Sequence, residues 1–273
     1  MKNNSLARNL FVSVSSSIVF GFCVMSIFWL ITGMKYNLFV CFKVFIPVMC
    51  LTFALLLSIT ICISVMSAHR RNILAKFRNE HGYSDEYYQM VIKLLGGTDK
   101  LNNSKRLSLA AAYSEGERCD KCTEMLKTID FSALNSAEQN EYFNIMLYNS
   151  LLKGDIERTK TIYQRSFYYF ERALFSKNSS HIMHTLGVYF YAVGELAKAE
   201  NYFVSARVRT NDLSLKGDCN LYLGLCYLKT NRREYAKQCA IDASKEISGQ
   251  SQKINLRKLM ILIEKAYGIR SCS

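Results

Sequence analysis

The chain has 273 residues, half of them apolar, with a formal net charge of +13 and ten cysteines. That length admits one or two domains with a sizeable core. The spacing of the cysteines does not suggest a secreted disulfide framework, and the excess of basic residues is interspersed with acids, which argues against a nucleic-acid surface.

The charge is unevenly placed. Of the 35 Lys and Arg, four (Lys2, Arg8, Lys35 and Lys43) lie before Ser67, and none of the 22 Asp and Glu does; the remainder holds 31 basic against 22 acidic residues, +9 of the +13. Leu10 to Ile31 and Val44 to Met66 contain no charge at all. At about 1.5 Å per residue each reaches roughly 33–35 Å as a helix, enough to cross a hydrocarbon core of about 30 Å. Residues 10–66 are therefore expected to form a two-helix transmembrane hairpin in the lipid bilayer. Pro47 is expected in the first turn of the second span, where its missing N–H disrupts least. Trp29 and Tyr36 flank the connection, where amphipathic rings favour the headgroup level. A signal peptide is the alternative for the first segment, but its apolar run is long and no A-x-A-like cleavage site follows.

Basic residues set the orientation. Lys2 and Arg8 precede the first span, whereas His69, Arg70, Arg71, Lys76 and Arg78 follow the second. The positive-inside rule then predicts a multi-pass protein of the cell membrane with residues 1–9, the C-terminus and the soluble part in the cytoplasm. Residues 67–98 read as a juxtamembrane helical stalk. The second span continues into "HRRNILAKFRNE", Gly82 breaks the helix, and Ser84 caps a short one that runs to Leu95 before Gly96 and Gly97.

Residues 99–252 carry a repeat. Gly154, Gly194 and Asn231 each close a helical stretch, at intervals of 40 and 37 residues. In "LGVYFYAVGELAKAENYFVSA" the positions of note are Leu186, Gly187, Phe190, Gly194, Ala199, Phe203 and Ala206. In "LGLCYLKTNRREYAKQCAIDA" the corresponding positions are Leu223, Gly224, Tyr227, Asn231, Ala236, Ala240 and Ala243. Two weaker copies precede them, one with Leu109, Ala110, Tyr113, Cys122, Leu126 and Ile129. The other has Met146, Leu147, Gly154, Thr159 and Tyr163, with Ser150 where an aromatic is expected. This pattern resembles the tetratricopeptide repeat, most closely over the last two copies. With its N-terminal anchor the chain is similar to uncharacterised bacterial membrane proteins carrying such repeats. The resemblance implies an all-α chain in which the transmembrane hairpin is followed by an α-solenoid, because a single helical hairpin cannot bury its apolar face and repeats must stack. The last segment, 253–273, reads as a capping helix and tail, with Ile254, Leu256, Leu259, Ile261, Leu262 and Ile263 as its apolar residues; a partner-binding or dimerising helix is the alternative.

Chemical motifs are sparse. Cys119 and Cys122 form a lone C-x-x-C without a second pair, and His181 with His184 lacks the rest of a ligand set. The phosphate-loop, dinucleotide, nucleophile-elbow and H-E-x-x-H motifs do not occur. No enzymatic activity and no cofactor is therefore expected. The resemblance implies instead a concave groove lined by the first helix of each repeat, at Asn144, Tyr148 and Leu151, at His184, Val188 and Tyr191, and at Leu221, Leu225, Leu228 and Lys229. Such a lining is apolar and aromatic with few charges, and suits an amphipathic helix or extended apolar segment of a protein partner. The alternative is that the repeats close on themselves and leave no groove. The expected function is a membrane-anchored scaffold or adaptor that recruits a protein or peptide partner. The alternative is an accessory subunit of a membrane enzyme or transporter, acting through a first span whose Ser13, Ser15, Ser16, Ser17 and Gly21 suit close helix packing.

Overall fold

The computed structural model describes residues 38–97, 101–176, 179–247 and 249–268. The expected tail, the first span at Leu10 to Ile31, and Trp29 and Tyr36 lie outside them. Every regular element among the described residues is helical, and the chain divides into two units, Met1–Ile73 and Leu74–Ser273.

The described part of the first unit belongs to α1, Leu38–His81. Within it, Ile46 to Arg78 is long and apolar enough to cross a membrane. Leu51, Leu55, Ile59 and Ile63 are all exposed on it. The hydroxyls of Thr52, Ser58 and Thr60 donate to carbonyls one turn back, at 2.8–3.0 Å. Polar groups in an apolar helix are satisfied internally in this way. Pro47 corrects the sequence expectation: the helix begins at Leu38, so Pro47 lies inside it rather than in its first turn. The absence of charge marks a span, but it does not mark where helical hydrogen bonding starts.

In the second unit α1 runs on to His81 and stops at Gly82, whose φ is +63°. Helix α2 (Asp85–Leu95) is capped by Ser84, whose hydroxyl accepts from the Tyr87 amide, and ends at Gly96 with φ +99°. Four helical hairpins follow: α3 (Asn103–Glu115) with α4 (Cys119–Lys127), α5 (Ser136–Leu152) with α6 (Ile156–Leu174), α7 (Ser180–Ala192) with α8 (Leu196–Arg209), and α9 (Leu213–Lys229) with α10 (Arg233–Glu246). Helix α11 (Gln250–Ala266) packs on α9 and α10. The first helices also pack on one another in sequence, α3 on α5, α5 on α7 and α7 on α9.

The same turn closes three of the hairpins. Glu117, Gly194 and Asn231 have φ of +58°, +86° and +58°. The amide that follows each reaches back to the carbonyl of Tyr113, Phe190 or Tyr227 at 2.7–2.8 Å, the bond of a Schellman cap. The residue after the turn thereby enters the second helix in one register, and small side chains recur along it. Cys122, Thr159, Ala199 and Ala236 are each completely buried. In the third hairpin a Cβ on Gly187 would stand 2.6 Å from the Phe203 ring, so only Gly lets that ring in. In the fourth, a Cβ on Gly224 would meet Leu259 of α11 at 2.7 Å.

Two departures have local causes. The interval of 40 residues reflects a longer second helix: α6 has 19 residues where α8 and α10 have 14. Ser150, in the place of an aromatic, hydrogen-bonds Thr159 across the hairpin at 2.7 Å, both buried. A polar pair here fills the gap that a ring fills elsewhere: Thr159 donates to the Asp155 carbonyl at 2.6 Å and so accepts from Ser150. The last helix also differs from expectation. Leu259 and Ile263 are buried and Leu256 is partly so, whereas Ile254, Ile261 and Leu262 are exposed. Its apolar residues spread over more than the one face that α9 and α10 cover.

Candidate functional site

The residues expected to line a groove divide into two groups. Asn144, His184, Val188 and Leu221 are buried, which corrects their expected exposure; Tyr148, Leu151, Tyr191, Leu225 and Leu228 are partly buried, and Lys229 is exposed. The burial comes from neighbouring hairpins. The His184 ring is met by Tyr148 of α5 at 6.2 Å, by Phe203 of α8 at 5.8 Å and by Tyr222 of α9 at 5.7 Å. A helical period within α7 carries no trace of those contacts.

The rings form a continuous row across three helices. Tyr148 leads to His184, His184 to Tyr222, and Tyr222 to Tyr191 at 5.9 Å. The Lys229 ammonium ends the row, 4.1 Å from the centre of the Tyr191 ring, a cation–π arrangement. Tyr222 also stacks on Phe203 at 5.1 Å, with the rings 12° from parallel. Its position is therefore fixed by the core of the third hairpin.

Carboxylates stand beside this row. Glu141, His181 and Asp218 lie three residues before Asn144, His184 and Leu221, hence on the same helix faces. Glu141 and His181 act on each other electrostatically, and Asp218 acts on both Tyr148 and Tyr222. Glu117, at the end of the first hairpin, also acts on both of these tyrosines. The row thus gathers groups from the first, second and fourth hairpins. These acidic neighbours correct the expectation of a lining with few charges. Extending each expected position by one turn toward its N-terminus would have found them, since residues three apart share a helix face.

The surroundings shift these groups in a consistent direction. Lost hydration raises the carboxyl of Glu141, partly opposed by His181, although its side chain is open to solvent. Burial likewise pushes Asp218 up to about 6, with the Gln252 side chain pulling it down and Asp212 adding to the rise. His184 moves the other way, down to about 3, because burial disfavours the imidazolium and His181 adds to the effect. Its Nε2 is buried and has no hydrogen-bond partner, and neither has the buried Oδ1 of Asn144.

Other features are outside this row. An open cavity of about 400 Å³ is bounded by Phe77, Asp85, Glu86 and Lys93. No group of three or more His, Cys, Asp or Glu side chains placed to hold a metal occurs among the described residues. Cys122 occupies a packing position, and burial pushes its thiol up to about 12. Cys219 is raised equally, and Cys226 and Cys239 are pushed up to about 11. Comparisons with family models, curated proteins and solved structures give no match.

Proposed function

We propose that this chain is a membrane-anchored, tetratricopeptide-like scaffold that holds a protein partner along the row from Tyr148 to Lys229. The observation that carries this reading is the division of labour on the first helices. The positions shared with the repeat pattern, such as Leu109, Leu147, Leu186 and Leu223, are consumed in packing. The tyrosines of the row and the neighbouring carboxylates, by contrast, remain partly open and draw on successive hairpins, with the buried His184 joining them. A surface assembled this way matches an elongated ligand rather than a small molecule.

The anchor reading rests on α1. Exposed apolar side chains along the stretch from Ile46 are costly in water and favourable in a bilayer. With the basic residues on the far side of it, both termini and the repeats belong in the cytoplasm of a two-span protein. A reporter active only in the cytoplasm, fused after Ser273, is expected to give a signal; silence would overturn this orientation.

Docking is tested by site-specific photo-crosslinking of the full chain in its native membrane. A photoreactive residue at Tyr191 is expected to yield a discrete protein adduct, whereas the same residue at the exposed Tyr235 of α10 is not. Equal adducts at both positions would refute the row as the docking surface.

A further inference from the structure

We infer that the partner segment held by the row is cationic, with Lys or Arg side chains seated against the carboxylates of Glu141 and Asp218 and the ring faces of Tyr148 and Tyr222. This rests on the reading of the row as a docking surface and names the chemistry that the surface selects.

The first argument is charge complementarity. From Ser67 onward the chain is strongly basic, with 31 Lys and Arg against 22 Asp and Glu. Beside the row this balance inverts. Glu141 and Asp218 flank it on α5 and α9, and Glu117 is felt by both tyrosines. Lys229 lies at the Tyr191 end. A fourth carboxylate, Glu115, is already engaged by the Tyr83 hydroxyl at 3.2 Å and by Arg78 at 3.6 Å. Among the described residues no Lys or Arg side chain lies within salt-bridge distance of Glu141 or Asp218.

The second argument is independent of charge. Asn144 lies three residues from Glu141 and four from Tyr148, so it shares their face. It is only 8 % exposed, and its Oδ1 lacks a donor. A buried acceptor without a donor costs free energy until a donor arrives. An ammonium or guanidinium group brings several donors and no acceptor. The tyrosine faces add to the same preference, since a partly desolvated cation is drawn to an aromatic ring. An anionic segment would meet carboxylates, and an apolar one would leave Asn144 without a donor and both carboxylates without a countercharge, a form of discrimination by mismatch.

The full-length protein in lipid nanodiscs of uncharged lipid is titrated with three fluorescent peptides of equal length, alternating Leu with Arg, with Gln or with Glu. The Arg–Leu peptide is expected to bind most tightly and to weaken with added salt. Glu141→Gln and Asp218→Asn are each expected to lower its affinity by about tenfold, with no fall in melting temperature measured alongside. Tyr222→Ala reports on the docking surface itself. If the Gln–Leu peptide binds as well as the Arg–Leu peptide and Tyr222→Ala weakens both, the docking surface stands and the cationic preference is wrong. If the Arg–Leu peptide binds best but is indifferent to all three substitutions, its site is elsewhere and both readings fall.

Discussion

His184 and Asp218 make opposite demands on pH. The folded His184 refuses a proton that the unfolded chain accepts below about 6.5, so its contribution to stability is lost as pH falls from there toward 3. Over that window the loss is on the order of 3–5 kcal/mol. His184→Phe fills the same space among Tyr148, Phe203 and Tyr222, and is expected to flatten the acid side of a melting-temperature profile. Asp218 is raised in the fold, so its favourable contribution is complete below about 3.8 and disappears as pH rises through about 6. Asp218→Asn is therefore expected to melt higher than the parent at pH 7.5 and equally at pH 4, by calorimetry. A residue that stabilises when neutralised, yet weakens peptide binding, is kept for binding. Packing residues behave more simply. Gly187→Ala forces a methyl group onto the Phe203 ring, which is completely buried in the core of the third hairpin. Overpacking of this kind costs about 1–3 kcal/mol, read as a lower urea midpoint with an unchanged slope. These packing residues were legible in the sequence, because small and aromatic residues at fixed offsets have few other uses. The burial of His184 was not, because it depends on rings supplied by the adjacent hairpins.

At the level of elements, the sequence carried turns better than ends. Gly154, Gly194 and Asn231 marked the hairpins because a left-handed backbone is written in residue type. Glu117 takes the same conformation with no such signature, and the first hairpin's turn was accordingly not marked. The lengthened α6 appeared only as a longer interval, since nothing in a spacing tells a helix from a loop. Helix α11 is the instructive case. Its apolar residues were read as one face, but only those near Leu256, Leu259 and Ile263 find α9 and α10. Leu259 is 1 % exposed and fills the space that Gly224 leaves. Leu259→Ala is expected to cost about 2–5 kcal/mol, and hydrogen exchange should accelerate first in α11. Uniform acceleration across all hairpins would mean that α11 is integral to the cooperative unit rather than docked on it.

For the molecule as a whole, the split between an uncharged apolar part and a basic helical part was evident from the distribution of Lys, Arg, Asp and Glu alone. The all-helical fold was implied by the repeat resemblance that the small and aromatic residues carry. What the sequence concealed was the inversion of charge within the basic part, because acids and bases alternate along the chain and separate only when hairpins align. One consequence follows from the cysteines of the last hairpin. Cys219, Cys226 and Cys239 are free thiols, at most 6 % exposed, and an alkylating reagent reaches them only when α9 and α10 part. The pace of their modification is therefore a clock for the opening of that hairpin. Cys50 and Cys62 are exposed on α1, and on the proposed anchor reading their modification reports lipid coverage instead. Reagents that stay in water should leave Cys50 and Cys62 unmarked in a bilayer and mark them in its absence, while a cationic peptide bound beside Asp218 should slow the clock of the last hairpin and leave the marking of Cys50 and Cys62 unchanged.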